Sequence, residues 1–598
     1  MAGKVIKIGG ASGFWGESPV SVPQLLKADL DYIVFDYLAE ITMSIMARAR
    51  AADPQMGYAV DFVTAVMRPH LKTIAERKIK VVSNAGGTNP KACADAVRAL
   101  VAEAGLDLTV ACVTGDDLVA RKDELGSKGF GEMFSGDQFP DAEKIASINA
   151  YLGGFPIAAA LTKGADIVIT GRCVDSAVTL GACIAEFGWG PNDLDQLAGG
   201  SLAGHIIECG PQCTGGNFTD WAEVIETIHE IGYPIAEIAE DGSFVTTKPE
   251  GTGGMVTVGT VAEQMVYEIG DPQAYMLPDV VCDFSAVEIT QEGRDRVLVK
   301  GAKGHPAPST YKVSMTYQDG FRAGAAMGFY GIDADKKARL YAQAVLKRTR
   351  ERLRASNLGD FTETDIEIIG AEAQYGDYSE ILGAREVMMK LAVKHPDVKG
   401  VGLLLKEVVG MALATPPGLS IFGGNRPKPS PVVRLFSFLI PKTDVPVTID
   451  LGAGEETVAV PAGQPFDPAT LERPAAPAEP GVTADMIEVP LVRLAWGRSG
   501  DKGDKANVGI IARDPAYLPY IWASIDESVV KARFRHFLKG EVERFALPGS
   551  NAINFLLHDV LGGGGVASLR NDPQGKGYAQ LLLEAPVHIP RSLLERAA

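Results

Sequence analysis

The sequence predicts a protein of the α/β class that carries a smaller α+β module after it. In residues 1–220, short β-branched runs alternate with longer helical patterns, which is typical of buried parallel strands with helices on the sheet faces. In residues 221–460, strand-like runs lie closer together and indicate an α+β region that completes the large N-terminal domain. Residues 461–482 are rich in proline and predict an extended linker, which leaves 483–598 as a separate domain.

The first region favours a Rossmann-like, doubly wound open sheet, although a barrel would produce the same alternation. The predicted strands are Val5–Ile8, Tyr32–Phe35, Ile79–Ser83, Leu108–Val113 and Ile167–Thr170. The predicted helices between them are Ala39–Ala52, Gln55–Arg77 and Asn89–Ala104.

The second region is predicted to mix strands with two long helices. The predicted strands are Gly253–Thr260, Ala286–Glu292, Val297–Val299, Ser309–Tyr317 and Val432–Ile440. The predicted helices are about Asp333–Ala355 and Tyr378–Lys394.

The last module reads as strand, strand, helix, strand, glycine loop and final strand, an order that indicates a ferredoxin-like fold. The first two strands are predicted at Leu491–Trp496 and Val508–Ala512, with a polar turn between them. The helix is predicted at about Pro515–Leu538 and the final strand at Gly577–Pro590.

Polar side chains follow the ends of the predicted parallel strands, where ligands bind in α/β sheets. Carboxylates beside an arginine would suit acid–base work on an anionic substrate. Turn formation and helix capping would place the same residue types there in any protein. The candidate catalytic residues are Asp36, Asn84, Asp116, Arg172 and Asp175.

Two glycine-rich turns of the first region are candidate ligand-binding segments. Neither has the Gly-x-Gly-x-x-Gly spacing or a Walker lysine, so the case for a nucleotide is weak. The glycines could equally serve tight turns of the chain. The candidate residues are Gly10, Ser12, Gly86 and Gly87.

The run from Arg498 to Asn507 concentrates charge on the predicted turn of the last module. Paired cations on a glycine-containing backbone suit a phosphate or a carboxylate. A solvated loop whose charges pair with one another would look the same. The candidate ligand-binding residues are Arg498, Ser499, Asp501, Lys502, Lys505 and Asn507.

A second feature of this module is a run of four glycines, 562–565, followed by cationic and hydroxyl side chains. Successive glycines can form an anion-binding nest of backbone N–H groups. A flexible surface loop is the alternative. The candidate residues are Gly564, Ser568, Arg570 and Lys576.

Charge and cysteine usage limit the function class. The net charge is −18, which argues against nucleic-acid binding, because that needs a basic footprint. From Glu488 to Ala598 there are 14 Lys and Arg against 12 Asp and Glu, so only this module is not acidic. Seven scattered cysteines indicate reduced thiols in the cytoplasm. No run of eighteen apolar residues occurs, so no transmembrane helix is expected.

Several segments in this order resemble the acyclic terpene utilisation protein A (AtuA) family, and the resemblance covers nearly the whole chain. The segments are 8–16, 84–90, 170–176 and 498–507. The resemblance implies a part in bacterial catabolism of citronellol and geraniol, among genes for acyl-CoA carboxylase, dehydrogenase and hydratase. It implies a soluble enzyme acting on a branched acyl-CoA or acid, and it assigns no catalytic residue.

Three hypotheses follow. The first is a hydro-lyase or carbon–carbon lyase whose substrate is an acyl-CoA thioester or a carboxylate. The second is a non-catalytic subunit or scaffold for a neighbouring acyl-CoA enzyme. The third is a Mg²⁺- or Mn²⁺-dependent lyase or hydrolase using Asp36, Asp116 or Asp175, because oxygen-ligand sites leave little sequence trace. No cofactor and no metal ligand is assigned, no nucleic-acid or membrane partner is expected, and a homo-oligomer is expected.

Overall fold

A computed structural model describes residues 3–421 and 427–597. In the first region strands alternate with helices, as the sequence predicts. The strands are β1 (Val5–Gly10), β2 (Tyr32–Phe35), β3 (Lys80–Ser83), β4 (Val110–Thr114), β5 (Ile145–Ala150) and β6 (Ile167–Thr170). The helices are α1 (Ser21–Leu25), α2 (Glu40–Ala52), α3 (Arg68–Glu76), α4 (Pro90–Glu103), α5 (Lys122–Ser127), α6 (Phe155–Thr162), α7 (Ala177–Phe187) and α8 (Leu194–Glu208).

The second region is rich in antiparallel strands. Its strands are β7 (Ile235–Ala239), β8 (Phe244–Thr247), β9 (Tyr275–Met276), β10 (Val281–Asp283), β11 (Glu288–Gly293), β12 (Arg296–Lys300), β13 (Lys303–His305), β14 (Thr310–Tyr330), β15 (Glu363–Ile369), β16 (Glu386–His395), β17 (Leu419–Ser420), β18 (Ser430–Pro441), β19 (Thr448–Asp450) and β20 (Glu455–Thr457). Its helices are α9 (Val258–Val266), α10 (Ala334–Ala355) and α11 (Val398–Gly410).

The two regions share one large sheet of strand order β11-β12-β8-β7-β1-β2-β3-β6-β4-β19-β20. Its centre, β1-β2-β3-β6-β4, is parallel, and antiparallel strands extend it at both edges. The sheet is open and mixed α/β, as the sequence predicts, but its order differs from the 3-2-1-4-5 order of Rossmann folds. The Rossmann-like detail of the prediction is therefore not confirmed.

Side chains of the parallel strands alternate between two apolar cores. Helices α1 to α4 pack on the face that carries Ile33, Val81 and Ile169. Helices α6 to α8 pack on the opposite face with Val34 and Val82. The chain therefore leaves β3 for one face and the neighbouring β6 for the other. In α/β proteins, ligands bind beyond the carboxyl ends of the strands where the chain diverges in this way.

A second sheet is built around β14, which pairs with β5, β16, β17 and β18. The predicted helix Tyr378–Lys394 is wrong, because its second half is strand β16. Every second residue of β16 is buried in the core under α10 and α11, as expected for a strand. These residues are Val387, Met389, Leu391 and Val393.

The predicted strand Gly253–Thr260 is also wrong, because α9 begins within it. Thr257 and Thr260 form a reciprocal capping box, with Thr260 N donating to Thr257 Oγ1 (3.3 Å) and Thr257 N donating to Thr260 Oγ1 (3.0 Å). The β-branched residues that suggest a strand therefore act as a helix cap.

The last module contains β21 (Met486–Pro490), β22 (Ala495–Lys502), β23 (Lys505–Ala512), α12 (Leu518–Ser524), α13 (Glu527–Arg533), β24 (Val542–Leu547), β25 (Ala552–Leu557), α14 (Tyr578–Leu582), β26 (Pro586–Pro590) and α15 (Arg591–Ala597). Strands β22-β23-β25-β24 form an antiparallel sheet. The single predicted helix is two short ones, and the first part of the predicted final strand is α14.

The polar turn predicted for this module is largely strand. Strands β22 and β23 pair up to Lys502 and Lys505, which leaves a two-residue connection at Gly503 and Asp504. Gly503 has a φ of 65°, the left-handed region that such tight hairpins require. Most residues of the charged run therefore lie on the two strands of a hairpin and not in a loop.

The proline-rich segment 461–482 carries the short 3₁₀ helix Pro468–Thr470. Arg473 ties the segment to the large domain through Asp271, with nitrogen–oxygen distances of 2.7 and 2.8 Å. In the part of the chain that the structure describes, no helix is both long and apolar enough to cross a membrane. The seven cysteines, all between residues 93 and 282, are free thiols.

Candidate active site

A cleft of about 630 Å³ lies beyond the carboxyl ends of β2 and β6, within the volume range of small-molecule sites. The turn from β2 into α2 supplies Leu38–Ile41, and the turn after β6 supplies Arg172 and Asp175. The last module covers the cleft with the hairpin residues Asp501–Gly503 and with the loop after the four glycines. Parts of the chain that are distant in sequence therefore build one site.

The cleft carries an excess of positive charge, although the whole chain carries a net negative charge. Among the described residues, seven cationic side chains line it: Arg172, Lys312, Arg322, Lys390, Lys428, Lys502 and Arg570. The carboxylates that line it are Glu40, Asp175, Glu268 and Asp501. A cationic cleft in a chain of net charge −18 favours an anionic ligand.

Arg172 organises the floor of the cleft and is only 3% exposed. Its Nη1 donates to the carbonyls of Leu38 (2.9 Å) and Cys173 (3.1 Å) and to Asp175 Oδ1 (2.8 Å). The guanidinium lies 4.1 Å from the ring centroid of Tyr151, a cation–π contact. Arg172 and Asp175 meet in the cleft, where the sequence places both as candidates.

Tyr151, Glu40 and Lys312 form a second polar group beside Arg172. The Tyr151 hydroxyl donates to Glu40 Oε1 at 2.7 Å, and Lys312 Nζ lies 5.1 Å from the Tyr151 ring centroid. Although burial opposes it, the charges of Lys312 and Arg172 lower the pKa of Glu40 to about 2. Glu40 is therefore an ionised acceptor, and the buried Tyr151 is a phenol donor.

Asp36 and Asn84 lie beneath the cleft and do not line it. Asn84 Oδ1 accepts from the N–H of Tyr37 at 2.7 Å, and its amide nitrogen donates to Asp36. Asp36 also accepts from the N–H of Leu38 at 3.4 Å. Burial, together with the charges of Asp175 and Glu208, raises the pKa of Asp36 well above its ordinary value. The pair braces the turn that delivers residues 38–41 to the cleft.

Asp116 braces the other turn. Its Oδ2 accepts from the N–H of Arg172 and from the amide of Asn149, both at 2.9 Å. A side chain at Gly171 would collide with it, since a Cβ there would lie 2.4 Å from Asp116 Oδ1. Asp116 therefore fixes the backbone from which Arg172 projects, and it does not line the cleft.

Asp116 is expected to make stability depend on pH. Burial raises its pKa to about 7, whereas an aspartate in an unfolded chain has a pKa of about 4. Between these two pH values, the folded protein therefore binds this proton more tightly than the unfolded chain does. Stability from this group is therefore lost as pH rises from about 4 to about 7. Asp116→Asn should gain stability relative to wild type over that range in urea unfolding, and Asp107→Asn, at an exposed position, should not. A constant difference across pH 4–7 would contradict this assignment.

The candidate glycine-turn residues serve packing. Gly10 lies against α8, where a Cβ would be 2.4 Å from the carbonyl oxygen of Ile207. Gly86 packs against Pro90, and Gly87 takes a left-handed φ of 54°. Ser12 is buried and donates to the carbonyl of Phe14 at 3.0 Å. None of these four is among the described residues that line the cleft.

Residues of the charged run have different roles in the hairpin, because some line the cleft and others contact neighbouring parts of the chain. Asp501 and Lys502 line the cleft. Arg498 instead donates to Gln212 Oε1 (2.5 Å) and to the carbonyl of Asn217 (3.2 Å), both in the large domain. Ser499 Oγ donates to the carbonyl of Gly575 (2.7 Å), and Lys505 Nζ lies 4.7 Å from the Phe134 ring centroid.

Asn507 joins the module to the loop that carries Glu268. Its Oδ1 accepts from the N–H of Glu268 (2.9 Å), and its Nδ2 donates to the carbonyl of Val266 (2.6 Å) and to Asn554 Oδ1 (2.9 Å). Lys576 Nζ binds Glu268 Oε1 (3.0 Å), Asp501 Oδ1 (3.2 Å) and the Tyr267 hydroxyl. The carboxylate Glu268 is thereby held at the cleft edge.

The loop after the four glycines reaches the cleft through Gly565, Ser568 and Arg570, and Gly564 lies next to them. The Arg570 guanidinium donates to the carbonyls of Val560 and Phe537, the latter at 3.3 Å. Ser568 is buried, and its Oγ accepts from the N–H of Arg570 at 3.2 Å. Hydrogen bonds from its own side chains therefore hold the loop in place.

Several cleft residues have no counterpart among the sequence candidates: Glu40, Tyr151, Glu268, Lys312, Arg322 and Lys390. Glu40 could have been found, because it opens the helix after β2. The others come from strands or loops that the parallel-strand pattern does not single out. Within residues 3–421 and 427–597, no three His, Cys, Asp or Glu side chains gather as a metal-binding group.

Two protein-family models match the chain. A family model described as acyclic terpene utilisation family protein AtuA matches residues 6–451. A second one, described as the AtuA ferredoxin-like domain, matches residues 489–588. No curated protein and no solved structure matches the chain.

Proposed function

The chain belongs to the acyclic terpene utilisation AtuA family, and from this premise we propose that its cleft binds a branched acyl thioester or acid and acts on it by proton transfer. The reaction class is that of a hydro-lyase or a carbon–carbon lyase. The observation that carries the proposal is the excess of cationic side chains in the cleft of an acidic protein. Such a field concentrates anions such as phosphates and carboxylates.

The cleft also offers apolar surface to a hydrocarbon chain. Leu38, Ile41, Leu435, Val566 and Leu569 line it beside the charged groups. Each buried methylene contributes about 0.8 kcal/mol to binding, which makes a branched chain a favourable tail for an anionic head. A ligand with both parts fits the lining better than a small inorganic anion does.

Proton transfer is supported by groups whose charge state is tuned. Burial and the neighbouring Glu268 raise the pKa of Asp501 to about 6. Arg172 and Lys502 remain cationic and can stabilise negative charge that develops on a carbonyl oxygen. A hydratase or lyase needs a group that transfers a proton and a cation that stabilises the carbonyl oxygen, both close to one carbonyl group. The expected homo-oligomer and the cytoplasmic location stay predictions.

Calorimetric titration of the full chain tests the binding step. We expect a ten-carbon branched acyl-CoA to bind more tightly than free CoA or the free acid, because it supplies both the anion and the tail. Lys502→Gln should weaken that binding about tenfold, since a hydrogen bond to a charged group contributes about 1.5–3 kcal/mol. Lys347→Gln, at an exposed position on α10, should leave it unchanged. Failure of all three ligands to bind would refute the proposal.

A further inference from the structure

Among the described residues, one half-buried lysine of the cleft has no hydrogen-bond or ion-pair partner. Lys312 lies near the start of β14, where its carbonyl accepts from the N–H of Tyr151 at 2.9 Å. Its half-buried side chain lines the cleft. Among the described residues, Lys312 Nζ makes no hydrogen bond or ion pair, and the Tyr151 ring is its contact. Lys390, by contrast, pairs with Asp365 at 2.8 Å and with Glu367.

The surroundings of Lys312 lower the pKa of its amine from the ordinary value. Burial is the main cause that lowers its pKa, and the cations Lys502 and Arg172 add to the effect. The carboxylates Glu40 and Asp175 oppose it. Glu40 already accepts from Tyr151, and Asp175 already accepts from Arg172. A desolvated lysine beside other cations is a recognised form of activated amine.

The other polar groups nearby are less suited to accept a proton. The Arg172 guanidinium is always charged. Glu40, with a pKa of about 2, is a weak base. Asp501 already accepts from Lys576 (3.2 Å) and from Gln574 (3.3 Å). Among the described residues, Lys312 is therefore a basic, half-buried cleft group whose Nζ is not already held by a hydrogen bond or an ion pair.

We propose that Lys312 is the base of the cleft and takes the proton from the carbon next to the carbonyl of an acyl thioester. The C–H bond breaks, the proton ends on Nζ as an ammonium, and the electron pair moves toward the carbonyl carbon and oxygen. The negative charge on that oxygen is stabilised by the cations Arg172 and Lys502. The step needs no further reactant. It rests on the proposed function and names the group that performs its first step.

Proton exchange in D₂O provides the test. Wild-type protein with a branched acyl-CoA should exchange the hydrogen next to the carbonyl, as followed by NMR. Lys312→Met should slow this exchange at least about 100-fold, the lower range for a positioned base, while binding stays within a few-fold. Lys312→Arg, which carries a fixed positive charge and cannot accept a proton, should slow it as much. Lys347→Met is the matched control and should exchange like wild type.

A chemical label gives a second readout that does not depend on turnover. Trinitrobenzenesulfonate is an anion that modifies neutral amines, and mass spectrometry identifies the modified lysines. At pH 7, Lys312 should react faster than the exposed Lys347 and reach its half-maximal rate at a lower pH.

The outcomes separate the two proposals. Unchanged exchange in both Lys312 variants, or labelling no faster than at Lys347, overturns the role of Lys312 alone. If wild type binds no acyl thioester, the proposed function falls and the role of Lys312 falls with it.

Discussion

Replacing Arg172 by leucine is expected to lower the free energy of unfolding by about 3–5 kcal/mol, the range for removing one partner of a buried charge pair. The residue is 3% exposed, and its guanidinium donates to two backbone carbonyls as well as to Asp175. Its charge also offsets the carboxylates Asp36 and Glu40 nearby. Leucine would fill part of the space and leave these acceptors unpaired.

Urea unfolding followed by circular dichroism measures this loss. Arg294→Leu is the matched control, because the Arg294 side chain is 97% exposed and a surface substitution changes stability by about 0.5 kcal/mol at most. The position of residues 38–41 depends on Arg172 as well, so ligand binding in the cleft should be lost together with stability. A loss below about 1 kcal/mol would mean that Arg172 does not hold the floor of the cleft.

Replacing Asn507 by alanine is expected to destabilise the contact between the last module and the large domain by about 2–4 kcal/mol, because each buried group left unpaired costs about 1–3 kcal/mol. Asn507 is 1% exposed, and three polar groups depend on it: the N–H of Glu268, the carbonyl of Val266 and the amide of Asn554. Two of these belong to the large domain. The variant should therefore loosen the cover of the cleft.

Limited proteolysis measures this loosening, since cleavage within the proline-rich segment 461–482 should become faster when the module separates. Trp496 gives an optical signal, because its indole donates to Asp220 Oδ2 at 2.7 Å across the same contact. Asn192→Ala, at an exposed position, is the control. Wild-type cleavage rates in Asn507→Ala would show that other contacts, such as the Arg513–Asp220 pair at 2.6 Å, are sufficient.

The expectation that ligand-binding residues follow the ends of parallel strands located part of the candidate site. Arg172 and Asp175 follow a buried parallel strand, and both line the cleft. Asp36, Asn84 and Asp116 follow strands in the same way but point inward to brace the turns. The local sequence cannot separate the two roles, because each places a polar residue at a strand end.

The Arg498–Asn507 run shows the same limit within one module. A polar run with glycine resembles a loop, but in the structure it forms two paired strands. Asp501 and Lys502 reach the cleft, whereas Arg498 and Asn507 bond to the large domain. Which partner each side chain meets depends on how the module docks, and that information lies in segments hundreds of residues away.

The sequence by itself determined the α/β class, the parallel strands of the first region and the cationic character of the last module, because strand period, helix period and charge are local properties. Only the tertiary structure decided the strand order, the covering of the cleft by the last module and the place of Lys312. These depend on long-range packing, which brings β2, β6, β14 and the hairpin of the last module to one cleft. Burial there sets the charge state of each group, and burial is a property of the assembled fold.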